Sequence, residues 1–415
     1  MKRIAIIGSG ISGMSAAYML CQQNKVTLFE ASELIGGHTA TKRVSVASGE
    51  YDVDTGFIVF NDRTYPNFLK LLDRIGLTKQ PTEMSFSVCH SPNGLEYNGN
   101  NLLSLFAQRR NWLNPRFYHF LYSIVRFNKL AKAAHASGDN HTDLTLGDFL
   151  QQHGFNDYFC LHYILPMVAA IWSSSVNDAR IMPLKFFLKF FINHGLLEIE
   201  NRPQWYVIPG GSHSYIPSLL ANVQDIRLHT PVIGVRRGDE GVDITTQDGT
   251  ERFDEVIIAC HSDQALALLS DASEDEKILL GRMKYRNNDV VLHTDTAMLP
   301  KRRAAWASWN YSLAGGADAP PSVTYNMNIL QGLKAPETFC VTLNKTSAIA
   351  ANKILGRYQY AHPVMDEDMI KAQTQRHKIC GVNRTHFCGA YWYNGFHEDG
   401  LRSALDVCAR FGMTL

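Results

Sequence analysis

Three glycines near the beginning of the chain have the spacing of a phosphate-binding turn. Gly8, Gly10 and Gly13 stand between the apolar run RIAIIG and the small, apolar run SAAYML, in the order G-x-G-x-x-G. The first glycine of such a turn permits a tight bend, the second lets a pyrophosphate approach the backbone, and the third lets the following helix lie close to the sheet. The helix amides, beginning with Ile11 and Ser12, would then face the phosphates.

An acidic residue follows at the distance that a dinucleotide site requires. The run KVTLFEAS indicates a second strand that ends at Glu30, and a carboxylate about 20 residues beyond the turn holds the ribose hydroxyls of a bound dinucleotide. A carboxylate here suits a ribose without a 2′-phosphate. The alternative is that Glu30 is a solvated strand end.

Composition and charge limit the other classes of protein. The chain has 415 residues, of which 45% are hydrophobic and 19% charged, with a formal net charge of +1. This balance disfavours nucleic acid as a partner, since the whole chain has no basic field. Eight scattered cysteines without a C-x-x-C pair indicate reduced thiols rather than disulfides or a zinc site. Glycines and serines interrupt the apolar start, so we expect a cytoplasmic protein without a signal peptide or a membrane span.

A glycine doublet then carries a resemblance to a family. GSGISG…LFEASELIGGHT resembles the flavin-containing amine oxidase and phytoene desaturase superfamily, whose members carry G-G after the dinucleotide turn. The resemblance implies FAD, with Gly36 and Gly37 close to the diphosphate and the flavin. Most relatives have arginine next, where this chain has His38. The segment YDVDTGFIVFN resembles one that relatives place beside the flavin ring, which assigns Thr55 and Gly56 to the cofactor site.

The resemblance continues in two later segments. WYVIPGGSHSYIPSLL has the family's P-x-G-G pattern, and the residue of relatives that matches Val232 contacts adenine through its backbone. In the closing segment Gly389 would lie near the phosphates, while Glu398 and Asp399 would open a helix whose amides face the flavin. Cys388 is not at the position where some amine oxidases attach flavin, so the resemblance implies noncovalent FAD.

These segments predict an α/β fold with two domains. The first is a Rossmann-like FAD-binding domain, a parallel sheet with an added β-meander, made of residues 1–75, 200–265 and 375–415. The runs IRLHTPVIGVRR, VDITTQDG and FDEVIIAC predict the three strands of the meander. Residues 76–199 and 266–374 would form an α+β substrate domain. The expected architecture is that of the two-domain amine oxidases.

The segments assigned to the substrate domain resemble one subgroup more closely. AAIWSSSVNDARIMPLKFFLKFFINHGLL and VVLHTDTAMLPKRRAAWASWNY resemble flavoproteins related to the N-terminal region of plant cyclopropane fatty acid synthases. This implies an apolar substrate, such as a fatty acyl chain that is free or linked to a phospholipid, and a lipid-modifying methyltransferase as a partner. Aromatic side chains in or near these segments could line a tunnel for such a chain, or could be ordinary core: Trp172, Trp309, Tyr325 and Trp392.

A basic and aromatic stretch at residues 101–132 suggests a peripheral contact with a membrane. From Tyr97 to Gly138 there is no acidic residue, and six arginines and lysines alternate with aromatic residues. Helical spacing could separate the basic and aromatic side chains onto two faces, as in a helix that lies on a bilayer. The alternative is a solvated basic face over an ordinary core.

The catalytic residues are less well indicated. A desaturation needs a base besides the flavin, and histidine suits that task near neutral pH. His397 is the first candidate, His293 and His213 are weaker ones, and Lys284 matches the lysine that many relatives use. No metal ligands are expected. The sequence therefore predicts an FAD-dependent oxidoreductase of apolar, lipid-like substrates, and leaves open a redox-neutral isomerase, an amine oxidase or a noncatalytic flavoprotein subunit.

Overall fold

The computed structural model describes residues 1–90, 94–137, 144–172, 174–198, 201–313 and 322–415. The two stretches predicted to form the substrate domain, 76–199 and 266–374, therefore lie partly outside the described residues. Nothing tests the predicted domain limits, which remain a prediction.

A parallel sheet of five strands carries the glycine turn. Its strands, in spatial order, are β10 (Asp225–Arg227), β2 (Lys25–Phe29), β1 (Arg3–Ile7), β14 (Glu255–Ile258) and β20 (Thr385–Phe387). The central strand β1 is apolar without alternation because both of its faces are covered. Ile4 and Ile6 pack among helices, whereas Ala5 and Ile7 pack against the meander.

The meander forms as predicted, with one shift in its strands. β11 (Gly234–Gly238), β12 (Gly241–Thr246) and β13 (Gly249–Phe253) pair antiparallel. The run FDEVIIAC is not the third meander strand, because its residues Glu255–Ile258 pair with β1 in the parallel sheet instead. The apolar residues of that run lack the alternation of a half-exposed strand, which explains why they belong in the doubly covered sheet.

A second, larger sheet stands apart from the first. Its seven strands are, in spatial order, β19 (Ile354–Pro363), β15 (Tyr285–His293), β18 (Cys340–Leu343), β17 (Ser322–Asn326), β16 (Trp309–Leu313), β7 (Phe86–His90) and β8 (Leu95–Asn98). The neighbours are antiparallel except β16 and β7. Two small sheets complete the strands: β3 (Thr41–Val46) with β4 (Gly49–Asp54), and β5 (Phe60–Asn61), β9 (Trp205–Val207) and β6 (Gln80–Thr82).

Helices cover both sheets. Around the parallel sheet the described helices are α1 (Ile11–Leu20), α2 (Pro66–Arg74), α10 (Ile216–Leu220), α11 (Ser262–Leu268), α12 (Glu274–Gly281), α14 (Glu367–Gln373) and α15 (His397–Ala409). The others are α3 (Leu102–Leu105), α4 (Pro115–Ala136), α5 (Leu146–Gln152), α6 (Asp157–Phe159), α7 (Leu165–Trp172), α8 (Val176–Ile181), α9 (Leu184–Asn193) and α13 (Met327–Leu330). Within the described ranges, no helix combines the length and the apolar character needed to cross a membrane.

Helices α4 to α9 form a layer around a phenylalanine-rich core. Phe117, Phe120 and Phe127 of α4 are buried in it with Phe187 and Phe191 of α9. The spacing of these residues places them on one side of each helix. The core therefore fixes α4 and leaves its other sides free to line a cavity or to face solvent.

Candidate functional site

One cavity of about 1130 Å³ extends from the glycine turn to the helix layer. At one end it is lined by the turn after β1 and by the end of β2, and at the other by α4 and α9. The carboxyl ends of parallel strands meet at this edge of the sheet, where ligands of open α/β sheets bind. The cavity thus joins the predicted dinucleotide site to the predicted substrate segments.

The three glycines of the turn have separate structural roles. Gly8 has φ +100°, which favours glycine. A Cβ on Gly13 would lie 1.9 Å from the carbonyl oxygen of Gly8, so α1 can approach the turn only without a side chain there. A Cβ on Gly10 would meet no atom within 4 Å, since this glycine faces the cavity. Gly10 therefore leaves backbone open to a ligand, as a pyrophosphate requires.

Glu30 is held in place at the same end of the cavity. One of its carboxylate oxygens accepts from the amide and the hydroxyl of Ser9, at 3.0 and 2.5 Å. The other accepts from the amide and the hydroxyl of Ser32, at 2.9 and 3.0 Å. Glu30 is not a freely solvated strand end, because it lines the cavity in a fixed orientation.

The glycine doublet packs directly on the turn. Gly36 and Gly37 have φ of +123° and +57°, and a Cβ on Gly37 would lie 3.2 Å from Cα of Gly10. A Cβ on Gly56 would lie 2.2 Å from the carbonyl oxygen of His38. All five of these residues line the cavity. Thr55 does not, and its hydroxyl instead hydrogen-bonds Ala40 and Tyr360.

His38 belongs to a group of aromatic and imidazole rings. Its ring centroid lies 5.2 Å from that of Tyr360, 5.7 Å from that of His362 and 6.0 Å from that of His261. Burial and the two neighbouring imidazoles lower the pKa of His38 to about 3, and burial lowers that of His362 to about 4. His38 is therefore uncharged at neutral pH and does not replace the arginine of relatives as a fixed cation. In the described part of the chain, no three His, Cys, Asp or Glu residues are arranged to hold a metal.

His397 lines the cavity and is firmly packed. Its ring stacks on Phe57 at a centroid distance of 3.6 Å, and its Nε2 lies 3.1 Å from the hydroxyl of Tyr215. The Tyr215 hydroxyl also lies 2.6 Å from Oγ1 of Thr39. Burial, with a smaller contribution from His38, lowers the pKa of His397 to about 3. The imidazole is therefore neutral at physiological pH.

Glu398 and Asp399 do not line the cavity, although the sequence assigned both to the cofactor site. The Glu398 carboxylate accepts from the amides of Asn67 and Phe68 and so caps α2. Asp399 accepts from the amide of Phe396 and caps its own helix, α15. Burial raises the pKa of both carboxyls, that of Asp399 to about 7. Their side chains hold helices together and do not reach a ligand in the cavity.

Lys284 and the two weaker histidine candidates lie away from the cavity. The Lys284 side chain is 62% exposed, and its ammonium lies 3.6 Å from Asp366. His213 is exposed, and His293 is buried within the seven-stranded sheet, where it contacts Oγ1 of Thr342 at 2.7 Å. The structure therefore brings none of these three side chains to the site.

The predicted substrate residues separate into two groups. Trp172, Trp309 and Tyr325 line the cavity, with the rings of Trp309 and Tyr325 edge to face at 4.9 Å. Trp392 is 2% exposed, packs in the core beside the meander and lines no part of the cavity. It is therefore an ordinary core residue and not part of a substrate tunnel. Val232 and Gly389 do line the cavity, at its nucleotide end.

Two residues within the motifs have partners that the sequence did not indicate. Asp54 accepts from the amide and hydroxyl of Ser212 and so ties β4 to the P-x-G-G segment; burial raises its pKa to about 6. Ser12 donates to the carbonyl oxygen of Gly400 at 2.8 Å, which joins α1 to α15. The D-x-G and G-x-x-G patterns mark these positions, but only their contacts assign the partners.

The residues at the nucleotide end fit a flavin dinucleotide. An open backbone at Gly10, the first amides of α1 and the oriented Glu30 carboxylate converge on one cavity. The family model described as flavin containing amine oxidoreductase matches residues 11–296, more than half of the chain. The chain belongs to this family. Membership in the flavin containing amine oxidoreductases implies a flavin cofactor.

The identity to an individual relative is low. The chain is 24% identical over 322 residues to the carotenoid phi-ring synthase of Streptomyces griseus, a match that covers 72% of this chain and 59% of that protein. The chain thus spans less than two thirds of the length of this relative.

Two solved structures share the fold of this chain. The CLA-producing fatty acid isomerase of P. acnes superimposes with a TM-score of 0.70 at 15% identity, covering 99% of this chain and 98% of that one. The cyclohexylamine oxidase of Brevibacterium oxydans does so with a TM-score of 0.65 at 16% identity over the same shares. The predicted two-domain amine-oxidase architecture is therefore confirmed.

Proposed function

We propose that the protein is an FAD-dependent oxidoreductase that binds its FAD noncovalently and oxidises an apolar substrate with a long acyl chain. The observation that supports this most directly is the single cavity, whose nucleotide end continues into an apolar arm. A desaturation of a fatty acyl chain, free or linked to a phospholipid, is the reaction that the arm suits best.

The apolar arm lies between the large sheet and the helix layer. Its walls include Leu121 and Ile124 of α4, Met167 of α7, Phe190 of α9 and Trp309 of β16. Side chains of this kind offer surface without hydrogen bonds, which favours a substrate that is mostly hydrocarbon.

Two charged residues of the lining lie next to the helix layer. Arg202 donates from Nε to the carbonyl oxygen of Glu198 at 3.0 Å, and the Glu198 carboxylate lies 2.6 Å from the ammonium of Lys132. Since Lys132 already compensates Glu198, the Arg202 guanidinium is available to a carboxylate or a phosphate. We place the polar head of the substrate beside Arg202 and its chain in the apolar arm.

The lining disfavours an amine as the substrate. Among the residues that the structure describes, the lining has two carboxylates. Glu30, at the nucleotide end, already accepts hydrogen bonds from Ser9 and Ser32, and Glu198 forms a salt bridge with Lys132. A cationic amine in the arm would therefore lack an anionic partner, and leaving a charge unpaired in a buried site is unfavourable.

The chain's own residues would position the reactants and receive a proton. Bound flavin supplies the hydride acceptor. A desaturation breaks a second C–H bond on the neighbouring carbon, and that proton needs an acceptor inside the cavity. We assign this task to His397 because it lines the cavity and its stack on Phe57 fixes the ring. Its pKa of about 3 makes the imidazole a weak base, so it holds the proton only transiently. The apolar walls exclude water from the reacting carbons.

The experiment is the visible spectrum of the purified yellow holoprotein, recorded without oxygen. Unsaturated free fatty acids, their methyl esters and a panel of primary amines are added in turn. Bleaching by the fatty acids or esters supports the proposal, whereas bleaching only by amines contradicts it. Denaturation in acid should release all of the flavin; colour that stays with the precipitated chain would contradict noncovalent binding.

The same samples separate the remaining alternatives. Conversion of a fatty acid by the prereduced protein, without net consumption of an acceptor, would replace desaturation with isomerisation. No turnover alone, but turnover after mixing with a lipid-modifying methyltransferase, would favour the noncatalytic subunit.

A further inference from the structure

An exposed apolar surface lies where the sequence predicted a membrane contact. Among the described residues, 14 large hydrophobic side chains are exposed, and seven of them fall between residues 102 and 125. We call these seven the docking face: Leu102, Leu103, Trp112, Leu113, Tyr118, Tyr122 and Val125. Leu103 and Leu113 are 82% and 90% exposed, which is unusual for leucine on a soluble surface.

Helix α4 presents three different sides. Its core side carries the buried phenylalanines described above, and its cavity side carries Leu121 and Ile124. Tyr118, Tyr122 and Val125 are exposed and recur at intervals of four and three residues, so they form one stripe on the outer side. Neither the fold nor the core explains this third, apolar stripe.

The docking face borders on an arginine-rich cavity. Four arginines line this open cavity of about 550 Å³: Arg109, Arg110, Arg302 and Arg303. Arg302 is partly neutralised by Glu96 at 3.2 Å, whereas Arg109 and Arg303 are exposed. The segment that carries the docking face, from Tyr97 to Gly138, contains no acidic residue.

The docking face also adjoins the substrate cavity. Val125 is 52% exposed and at the same time lines the large cavity. In α3, Leu105 lines that cavity while Leu102 and Leu103 point to solvent. The apolar arm is therefore separated from the docking face by single helices.

We propose that the docking face binds an anionic phospholipid bilayer, with the arginines of the adjacent cavity on lipid phosphates and the apolar side chains at the acyl boundary. The exposed leucine, tyrosine and tryptophan side chains match the acyl boundary of a bilayer, and the arginines around them match its phosphate headgroups. Guanidinium groups recognise phosphate by paired hydrogen bonds. An acyl substrate could then pass from the bilayer into the cavity without crossing water; this last step rests on the proposed function, whereas the docking does not.

The test measures sedimentation of the flavin-loaded protein with vesicles. One set contains phosphatidylglycerol and phosphatidylcholine, and the other phosphatidylcholine alone. We expect binding to the anionic set, weakened by salt because screening reduces the attraction. The pair Arg109→Glu and Arg303→Glu should weaken binding by roughly 30-fold or more, since each basic residue near an anionic surface contributes on the order of fivefold.

A second pair tests the apolar part of the docking face. Leu103→Ser with Leu113→Ser should weaken binding at least as much, because both side chains would lose their apolar burial. Two control pairs make the same types of change elsewhere: Lys70→Glu with Arg357→Glu, and Ile181→Ser with Ile233→Ser. All of these residues are exposed, so the variants should fold.

Three results would overturn the proposal. One is binding by both docking-face variants that equals the controls. Another is vesicle binding that inorganic phosphate abolishes and that the variant Leu103→Ser with Leu113→Ser leaves unchanged. That result would show that the arginines bind a free anion. The third is tighter binding to RNA than to vesicles. Flavin bleaching by monomeric fatty acid, measured on the same variants, should equal that of the wild-type protein. If the wild-type protein is not bleached at all, the proposed function is refuted, but the docking result is unaffected.

Discussion

Acidic residues of similar chemistry have different tasks in this molecule because their surroundings differ. Glu30 is surrounded by two amides and two hydroxyls at the edge of the cavity, so its carboxylate is oriented toward a ligand. Glu398 meets two amides of α2 instead, and Asp399 one amide of its own helix. The imidazoles of His38 and His397 are likewise neutral because they are buried. Burial and hydrogen-bond partners, rather than residue type, decide each role.

The substitution Glu30→Gln should weaken FAD binding by about 10- to 100-fold, since hydrogen bonds to a charged group contribute about 1.5–3 kcal/mol. The new amide would also turn an N–H toward the donating groups of Ser9 or Ser32. Flavin fluorescence titration of the apoprotein gives the Kd. Glu33→Gln, an exposed change in the same loop, is the control, and equal Kd values for both would refute the ribose assignment.

The carboxyl of Asp399 should make stability fall as pH rises. Its folded pKa of about 7 lies above the usual value of 3.8 for an aspartate, so the folded protein binds more protons between these values. Stability from this group is complete below about pH 4 and is lost as pH rises through 7. In Asp399→Asn the free energy of unfolding should therefore fall less steeply with rising pH, by up to about 1.4 kcal/mol per pH unit.

A second capping carboxylate is the control for this measurement. Asp148 caps α5 in the same way as Asp399 caps α15, but it is on the surface and its pKa is lowered by the Thr145 hydrogen bonds. Asp148→Asn should act with the opposite sign, because the stability that its carboxylate contributes is lost as pH falls through its folded pKa. Urea unfolding from pH 2 to 8 measures both, since the effect of Asp148→Asn lies below pH 4 and that of Asp399→Asn above it. Identical profiles for the two variants would contradict the assignment.

At the scale of elements, close approach of backbones determines the site. α1 lies close to the glycine turn because Gly13 has no Cβ, and α1 meets α15 because Gly400 has none: a Cβ there would lie 2.7 Å from Ile11. Gly10 differs, since nothing in the protein limits it. The same turn thus contains glycines required by packing and one reserved for a ligand.

Alanine at these two positions should therefore give different results. Gly10→Ala should leave the apoprotein's Tm nearly unchanged and raise the Kd for FAD on the order of tenfold, about 1.4 kcal/mol. Gly13→Ala should lower the Tm as well, because overpacking costs about 1–3 kcal/mol. Thermal unfolding with and without FAD measures both, and a large loss of apoprotein stability in Gly10→Ala would contradict the proposed open approach.

At the scale of the whole molecule, the cavity exists because the parallel sheet meets the helix layer and the large sheet. The carboxyl edge of the parallel sheet supplies its nucleotide end, and the helix layer with the large sheet supplies its apolar arm. The length of the arm should therefore set the preferred chain length of the substrate.

Ile124→Trp should shorten the arm and lower kcat/KM for long acyl chains on the order of tenfold more than for short ones, within the range that a pocket's fit to a chain supplies. Tyr122→Trp, on the outer side of the same helix, is the control and should change neither value for a monomeric substrate. Stopped-flow flavin reduction across a series of chain lengths measures this. A uniform loss at all lengths would show that the chain does not lie along α4.

The sequence by itself determined the local features of this protein. The turn at Gly8, Gly10 and Gly13, the strand end at Glu30 and the added meander follow from spacing and from apolar patterns, which depend on neighbours along the chain. Only the tertiary structure decided which distant side chains share a site. It brings His38, His261, His362 and His397 to one cavity and leaves Lys284 and Trp392 outside it. Burial and contacts between remote segments cause these differences, and no local pattern records them.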